Sequence, residues 1–232
     1  MEIPSRLAAI RDRMESACRR AGRPPADVTL VAVTKQADCA QAQALVELDV
    51  CDLGENYPQE LWRKAAALRG PVRWHLIGHL QRNKVRRTLP LVDRIHSVDS
   101  LRLLREIDQV AVEQGRPARV LLEVNVSGEA SKHGLRPPEL PAILEAAAVL
   151  THARIEGLMT MAPLADDPER ARPVFAALRE LRERFAGQAP ANVRLCDLSM
   201  GMTSDFEVAV EEGATLVRIG SALFHGLEDL QR

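Results

Sequence analysis

The stretch Val28-Thr29-Leu30-Val31-Ala32-Val33 is a continuous apolar run rich in β-branched residues, and the polar pair Thr34-Lys35 follows it directly. Strands that are buried on both faces of a sheet have this composition, so the run predicts the first strand of a parallel sheet. Apolar side chains recur at helical spacing before it, which predicts an amphipathic helix over residues 3–21, and a second helix is predicted over residues 38–48. The order helix, strand, helix indicates an α/β protein whose first strand ends at Lys35.

The same alternation of strands and helices continues along the chain. Further strands are predicted near residues 50–53, 73–77, 93–97, 118–125, 153–158, 193–199 and 215–219. Helices are predicted at about 57–68, 80–88, 100–115, 137–149, 167–186 and 204–212, and the tail from Ser221 to Leu230 offers a short last one. Eight such units in 232 residues predict a single domain over residues 1–232, a (β/α)8 TIM barrel with an extra N-terminal helix. A doubly wound open sheet is the structural alternative, but no Gly-rich fingerprint follows the first strand.

The composition limits the functional classes. The formal net charge is −1, so no overall field attracts nucleic acid or an anionic membrane. No apolar run approaches the roughly 20 residues that span a bilayer, and charged residues interrupt the N-terminal segment where a secretory signal would be apolar. The four cysteines lack CxxC spacing, and in a chain of this size they indicate reduced thiols. These features predict a cytoplasmic protein without a membrane segment.

Lys35 stands at the end of a buried strand, which is where (β/α)8 barrels carry their chemistry. One interpretation is an ammonium group that extends past the rim into water. The other is a lysine that forms an imine with a carbonyl ligand, its pKa lowered by burial and by nearby cations. The choice depends on which groups face it.

Two turns rich in glycine and hydroxyl groups follow the seventh and eighth strands. They are Leu198-Ser199-Met200-Gly201-Met202-Thr203-Ser204-Asp205 and Val217-Arg218-Ile219-Gly220-Ser221-Ala222. The loops after strands 7 and 8 are the recurrent phosphate site of these barrels. Ordinary serine and threonine capping is the alternative for either turn alone. Together, the two turns predict a phosphate group opposite Lys35. Arg218 lies beside the ligand if its face of the eighth strand is the barrel interior, and an arginine in a salt bridge at the rim is the alternative.

The chain resembles the pyridoxal phosphate homeostasis proteins, the single-domain relatives of the alanine racemase barrel of fold type III. The resemblance covers nearly the whole sequence. It rests on residues 32–35, 54–60, 74–84, 95–99, 124–134, 157–161, 198–205 and 217–224, which include Gly54-Glu55-Asn56-Tyr57 and Ser131-Lys132-His133-Gly134. The sequence departs from the usual family pattern at Thr34, at Thr203 and at Phe224-His225-Gly226, and the last departure concerns the final short helix.

The resemblance implies a role for each site residue. Lys35 would hold pyridoxal 5′-phosphate (PLP) as a Schiff base, Arg218 would face the pyridine nitrogen, and Asn56 would lie near the ring. The phosphate would be held by Ser199, Thr203, Gly220 and Ser221, with Met200 also in the cofactor site. The family is monomeric and is thought to buffer or deliver PLP, so other B6 vitamers and apo-enzyme clients are further expected partners.

The leading hypothesis is therefore a PLP-binding homeostasis protein with little or no turnover. A PLP-dependent enzyme similar to an amino-acid racemase is the alternative, and a Schiff-base aldolase without PLP is a third hypothesis. The basic run Gln81–Arg87 is interpreted as a solvated helix face, with nucleic acid or another anionic partner as the alternative. No metal site is predicted, because His75 and His79 do not share a helical face and the other four histidines lack ligand-like spacing.

Overall fold

The computed structural model describes residues 2–129, 133–187 and 189–226. Eight parallel strands form a closed barrel in which neighbours follow sequence order and the last strand pairs with the first. This confirms the predicted barrel and excludes the open sheet. The strands are β1 Thr29–Val33, β2 Asp52–Glu55, β3 Arg73–Leu76, β4 Val92–Val98, β5 Ala118–Glu123, β6 Ala153–Met159, β7 Val193–Ser199 and β8 Leu216–Ile219.

The α-helices among the described residues surround this barrel. They are α1 Ile3–Arg20, α2 Cys39–Glu47, α3 Pro58–Ala67, α4 Val85–Thr88, α5 Leu101–Glu113, α6 Leu140–Ala147, α7 Arg172–Ala186, α8 Phe206–Glu211 and α9 Ser221–Phe224. The extra N-terminal helix α1 packs against α8 and α9. Its Arg6 donates a hydrogen bond of 2.7 Å to the carbonyl of His225, so the end of α9 is held at the unusual His225. Leu227–Leu230, where the last helix was predicted to continue, lie outside the described residues. No described helix is long and apolar enough to cross a bilayer.

Several predicted elements differ from the structure in their bounds. Residues 80–88 contain a 3-10 turn, Arg82–Lys84, before the four-residue helix α4. Helix α8 starts at Phe206 because the Asp205 carboxylate accepts the Met202 N–H at 2.6 Å and closes a turn there. Strand β2 begins at Asp52 because Asp49 adopts a left-handed conformation, φ 61°, and the Val50 N–H still donates to the Leu45 carbonyl of the preceding helix. Local polar contacts therefore displace the ends of elements whose apolar pattern was recognised.

The barrel interior is unusually polar at mid-height. TIM-barrel interiors are commonly filled with branched apolar residues. Here a small apolar cluster, Val31, Leu121, Met159 and Leu216, is separate from the main core that lies between the strands and the helices. The remaining buried set includes ionisable and hydroxyl side chains on the strands: His75, Arg94, His96, Ser199 and Arg218. These groups connect the barrel floor, at the amino ends of the strands, to its mouth at the carboxyl ends.

Candidate ligand site at the barrel mouth

The two glycine turns lie side by side at the barrel mouth. The Arg218 N–H donates to the Gly201 carbonyl at 3.0 Å, and the Ala222 N–H donates to the Thr203 hydroxyl at 3.4 Å. Gly201 has φ +90°, and a Cβ there would lie 2.5 Å from the Cβ of Ala209. Only glycine fits such a turn without strain. The turns after β7 and β8 therefore form one continuous surface, as predicted.

The end of β1 that carries Lys35 adjoins this surface. A Cβ added to Gly220 would lie 3.1 Å from the carbonyl oxygen of Val33, so the β8 turn packs directly against the backbone two residues before Lys35. Lys35 itself lies in the turn after β1 and its side chain is exposed. The burial of this amine that one of the two interpretations invoked is therefore not observed. Its exposure leaves the amine accessible to a ligand at the mouth.

The other predicted site residues differ in how close they come to the mouth. Asn56 is half-buried beyond β2, where its carbonyl would be 2.2 Å from a Cβ at Gly78. Ser221 is exposed and Thr203 is half-buried, both on the joined turns. Met200 is fully buried in the main core, and its N–H donates to the Leu216 carbonyl at 3.1 Å. Met200 therefore supports the turn from below.

Arg218 is a buried cation held in one orientation. One terminal nitrogen donates to the Ser199 hydroxyl at 2.6 Å and the other to the Thr160 carbonyl at 2.9 Å. Burial lowers the pKa of Arg218 to about 10, although Glu123 and Asp205 act in the opposite direction. The guanidinium therefore stays charged at neutral pH. Ser199 is committed to this contact inside the barrel, so its hydroxyl is not simply a group on the turn surface.

A continuous hydrogen-bonded chain runs from Arg218 to the barrel floor. The Ser199 hydroxyl lies 2.8 Å from Nδ1 of His96, and Nε2 of His96 lies 2.8 Å from Nδ1 of His75. Nε2 of His75 then lies 3.0 Å from the Asp52 carboxylate, which also pairs with Arg73. Every side chain between Arg218 and His75 is buried.

The chemistry of the two ends sets the direction of this chain. Burial opposes the ionisation of Asp52, but hydrogen bonds from His75 and Arg73 outweigh it and lower its pKa to about 2. Asp52 is therefore an acceptor only, and His75 must carry a proton on Nε2. Burial lowers the pKa of His96 well below its ordinary value, so this ring is neutral.

With one proton on each ring, every link of the chain can be satisfied in only one direction. Nδ1 of His75 is then an acceptor, so His96 donates to it from Nε2 and accepts from the Ser199 hydroxyl at Nδ1. Ser199 in turn accepts from Arg218. All donors in the chain point from Arg218 towards Asp52, and no link is left without a proton.

A buried carboxyl at the mouth was not singled out by the sequence. Glu123 ends β5 and is 5% exposed, and burial together with the nearby Asp99 carboxylate raises its pKa to about 7, against the effects of Arg218 and His133. Perturbed carboxyls of this kind cluster at functional sites. The available signal was its place near the carboxyl end of the strand predicted over residues 118–125, where such barrels carry their chemistry.

A buried ion pair below Lys35 was also missed. Lys64 on α3 is 1% exposed, and its ammonium donates to Oε1 of Glu55 at 2.6 Å and to the carbonyl of Thr34 at 2.5 Å. The Thr34 hydroxyl donates to the same Glu55 oxygen at 2.6 Å. A lysine in an amphipathic helix gives no sequence signal of burial. We call Thr34, Glu55 and Lys64 the Lys64 clamp.

Two arginines of the basic run Gln81–Arg87 contact side chains elsewhere in the protein. Arg86 forms an ion pair with Glu113, and the guanidinium of Arg87 lies 4.1 Å from the ring centre of Trp62. Contacts of this kind fit the interpretation of a structural, solvated surface, although the segment is mostly not a regular helix.

The fold and the joined turns define the class of protein to which this chain is similar. Residues 5–228 match the family described as the alanine racemase N-terminal domain. The sequence is 42% identical over 228 residues to the pyridoxal phosphate homeostasis protein of Aquifex aeolicus, covering 97% of this chain and 98% of that protein. It is 40% identical to the protein of the same name from Pseudomonas aeruginosa, over 96% of this chain and 94% of the relative. The chain belongs to the pyridoxal phosphate homeostasis protein family.

A solved structure of a relative agrees with this assignment. PipY of Synechococcus elongatus, in its structure with PLP bound, superposes with a TM-score of 0.83 at 36% identity, covering 96% of this chain and all of PipY. The relationship therefore extends over the whole barrel.

Proposed function

We propose that this protein binds PLP at the barrel mouth and acts in intracellular PLP homeostasis in the cytoplasm. The observation that carries the proposal is the contact of the Gly220 turn with Val33, which brings the exposed turn that bears Lys35 next to two joined turns suited to a phosphate. The names of the relatives and the PLP bound to PipY support the same ligand.

Each end of PLP has a matching group. Lys35 forms a Schiff base with the aldehyde, and the Lys64 clamp fixes the backbone immediately before it. Thr203, Gly220 and Ser221 hold the phosphate, and a Cβ at Gly201 would disrupt the turn that presents them. Asn56 lies on the neighbouring strand end, where it borders the ring. Met200 contributes indirectly, by packing beneath the turn.

Arg218 explains why binding predominates over turnover. PLP supplies an electron sink to amino-acid chemistry when its pyridine nitrogen is protonated. A guanidinium facing that nitrogen opposes protonation, because two positive charges would meet. Ser199 and Thr160 hold Arg218 in place, and Ser199 acts on the ligand through this arginine. The protein thus retains and releases the cofactor as a monomer, with other B6 vitamers and apo-enzymes as further partners.

Borohydride trapping tests this function. PLP is added to the purified protein, visible absorbance of the Schiff base is recorded, and reduction is followed by mass spectrometry of the peptides. We expect one label, on Lys35, and its loss in Lys35→Ala. Lys84→Ala is the matched control, because Lys84 lies in the basic run and is not among the residues assigned to PLP. Normal Schiff-base absorbance in Lys35→Ala would reject the assignment of this lysine.

Glu123 favours one alternative function. A carboxyl with a pKa of about 7 can both give and accept a proton near neutral pH, as the acid/base group of a racemase-like PLP enzyme must. Exchange of an amino acid's α-hydrogen for deuterium at catalytic rates, lost in Glu123→Gln, would support that enzyme. A colourless protein that binds a sugar phosphate and not PLP would support the aldolase hypothesis instead.

A further inference from the structure

Three side chains that follow adjacent strands meet on the rim of the barrel. His79 follows β3, Asp99 follows β4, and His133 lies beyond β5. The carboxyl ends of neighbouring parallel strands share one edge, so residues far apart in sequence come together there. This explains why linear spacing gave no sign of the cluster.

The distances within the cluster suit ligands of one metal ion. Nδ1 of His79 lies 3.2 Å from Oδ2 of Asp99, and the rings of His79 and His133 stack with centroids 5.2 Å apart at 23°. One donor atom from each of the three residues lies within 4.8 Å of the others. Metal–ligand bonds of 2.0–2.1 Å in a tetrahedron give ligand separations of about 3.3 Å. The His79–Asp99 pair already has this separation, and the donor atom of His133 lies within 4.8 Å of both.

The local charge also favours a cation. Asp99 lies close enough to the buried Glu123 to help raise its pKa, and His133 is near the same carboxyl. Two carboxylates at one edge repel each other, and a divalent ion between Asp99 and the histidines would reduce that repulsion. Side-chain exposures of 48% for His79 and 15% for Asp99 leave an entry path from solvent.

We propose that His79, Asp99 and His133 bind one divalent transition-metal ion of the zinc class. Two imidazole nitrogens and one carboxylate oxygen are ligands typical of Zn²⁺, whereas Mg²⁺ and Ca²⁺ prefer oxygen ligands alone. Three protein ligands leave the fourth position open, so the ion is exchangeable and can accept an external ligand at the mouth. None of these three residues is among those assigned to PLP.

The alternative is an arrangement without metal, in which His79 pairs with Asp99 and His133 simply stacks on His79. The two arrangements differ in their affinity for added zinc. The test uses the full chain, treated with a chelator and freed of PLP, because PLP and its Schiff bases bind metals themselves. Zn²⁺ alone is titrated calorimetrically, and Co²⁺ is used as a spectroscopic replacement.

We expect one Zn²⁺ per chain and a Co²⁺ spectrum without thiolate charge-transfer bands. His79→Ala and His133→Ala should each weaken Zn²⁺ binding at least about tenfold, the loss found when only a group that orients a ligand is removed. His152→Ala is the matched control, because His152 lies at the amino end of β6, away from the mouth. It should bind zinc as the parent does, and circular dichroism verifies that all variants are folded.

Three results would overturn the proposal. The first is no stoichiometric Zn²⁺ binding to the parent, and the second is unchanged affinity in both His79→Ala and His133→Ala. The third is loss of binding in Cys196→Ser, which would assign the metal to the exposed Cys196 thiol. Failure of PLP to label Lys35 would reject the proposed function and leave the zinc result unaffected.

Discussion

The ammonium of Lys64 donates a 2.5 Å hydrogen bond to the carbonyl oxygen of Thr34, the residue immediately before Lys35. The same ammonium pairs with Glu55 at the end of β2, and the Thr34 hydroxyl binds that carboxylate. A side chain from α3 therefore ties together the ends of β1 and β2. The turn that presents Lys35 owes its position to a buried charge pair and not to apolar packing alone.

Removal of one partner from this clamp should destabilise the protein strongly. Lys64→Met keeps most of the side-chain volume but leaves the Glu55 carboxylate buried without its cation. Breaking a buried ion pair in this way costs about 3–5 kcal/mol. Urea denaturation followed by circular dichroism measures the loss in free energy of unfolding.

The double variant Lys64→Met/Glu55→Gln provides the control for this measurement. It removes both charges, so it should recover part of the stability that Lys64→Met alone loses. Thr34→Ser keeps the hydroxyl and should change stability little. A Lys64→Met protein as stable as the parent would show that the ion pair does not hold the turn.

The second prediction is that the buried Glu123 makes the stability of the protein depend on pH. Glu123 has a pKa of about 7 in the folded protein, above the ordinary glutamate value of about 4.3. Between these values the folded state binds more protons than the unfolded state, so stability falls as pH rises through this window. Glu123→Gln lacks this titration, so its stability should not fall in this way. The free energy of unfolding of Glu123→Gln minus that of the parent should therefore be roughly 1–3 kcal/mol larger at pH 8 than at pH 4.

Glu145→Gln serves as the comparison for Glu123→Gln, because Glu145 is an exposed carboxylate on α6. A Glu123→Gln protein with the same pH profile as the parent would mean that Glu123 is ionised normally.

The sequence predicted the architecture better than it predicted the interior. The strands of a parallel barrel are buried on both faces, so apolar runs such as residues 28–33 identify them in the sequence. These runs were therefore enough to predict the number and order of the strands. The joined turns were also recognisable, since glycine and hydroxyl residues followed the last two strands. Lys64 and His96 were not recognisable, because their burial depends on partners at Glu55 and Ser199 that become neighbours only when the barrel closes.

The hydrogen-bonded chain to Arg218 gives a third expectation. With one proton on each ring, His75 and His96 should each carry it on Nε2 and leave Nδ1 as an acceptor. Nitrogen-15 NMR of the histidine rings distinguishes this tautomer directly. A proton on Nδ1 of His96 would reverse the direction of the chain and contradict the assignment.

Ser199→Ala should interrupt the same chain. It removes the hydroxyl that accepts from Arg218 and donates to His96, leaving buried polar groups unpaired at a cost of about 1–3 kcal/mol. Because Arg218 loses one of its two anchors, we also expect a shifted visible spectrum of bound PLP. Ser204→Ala, an exposed hydroxyl of the neighbouring turn, should alter neither stability nor spectrum by a comparable amount.

The last expectation concerns the turn that joins β7 to α8. Gly201 has φ +90°, and an added Cβ would lie 2.5 Å from the Ala209 Cβ and 3.0 Å from the Phe206 Cα. Gly201→Ala therefore combines backbone strain, about 1–3 kcal/mol, with a steric clash against α8. Thermal unfolding should show a clear loss of stability, and PLP labelling of Lys35 should weaken because the phosphate turn is displaced. Gly187→Ala is the control, since Gly187 ends α7 with φ −82° and has no atom near its Cβ position. That substitution restricts the unfolded chain without strain, so it should leave labelling intact and stabilise the protein by about 0.4–1 kcal/mol. If both alanine variants behaved alike, the conformation of Gly201 would not be what shapes the turn.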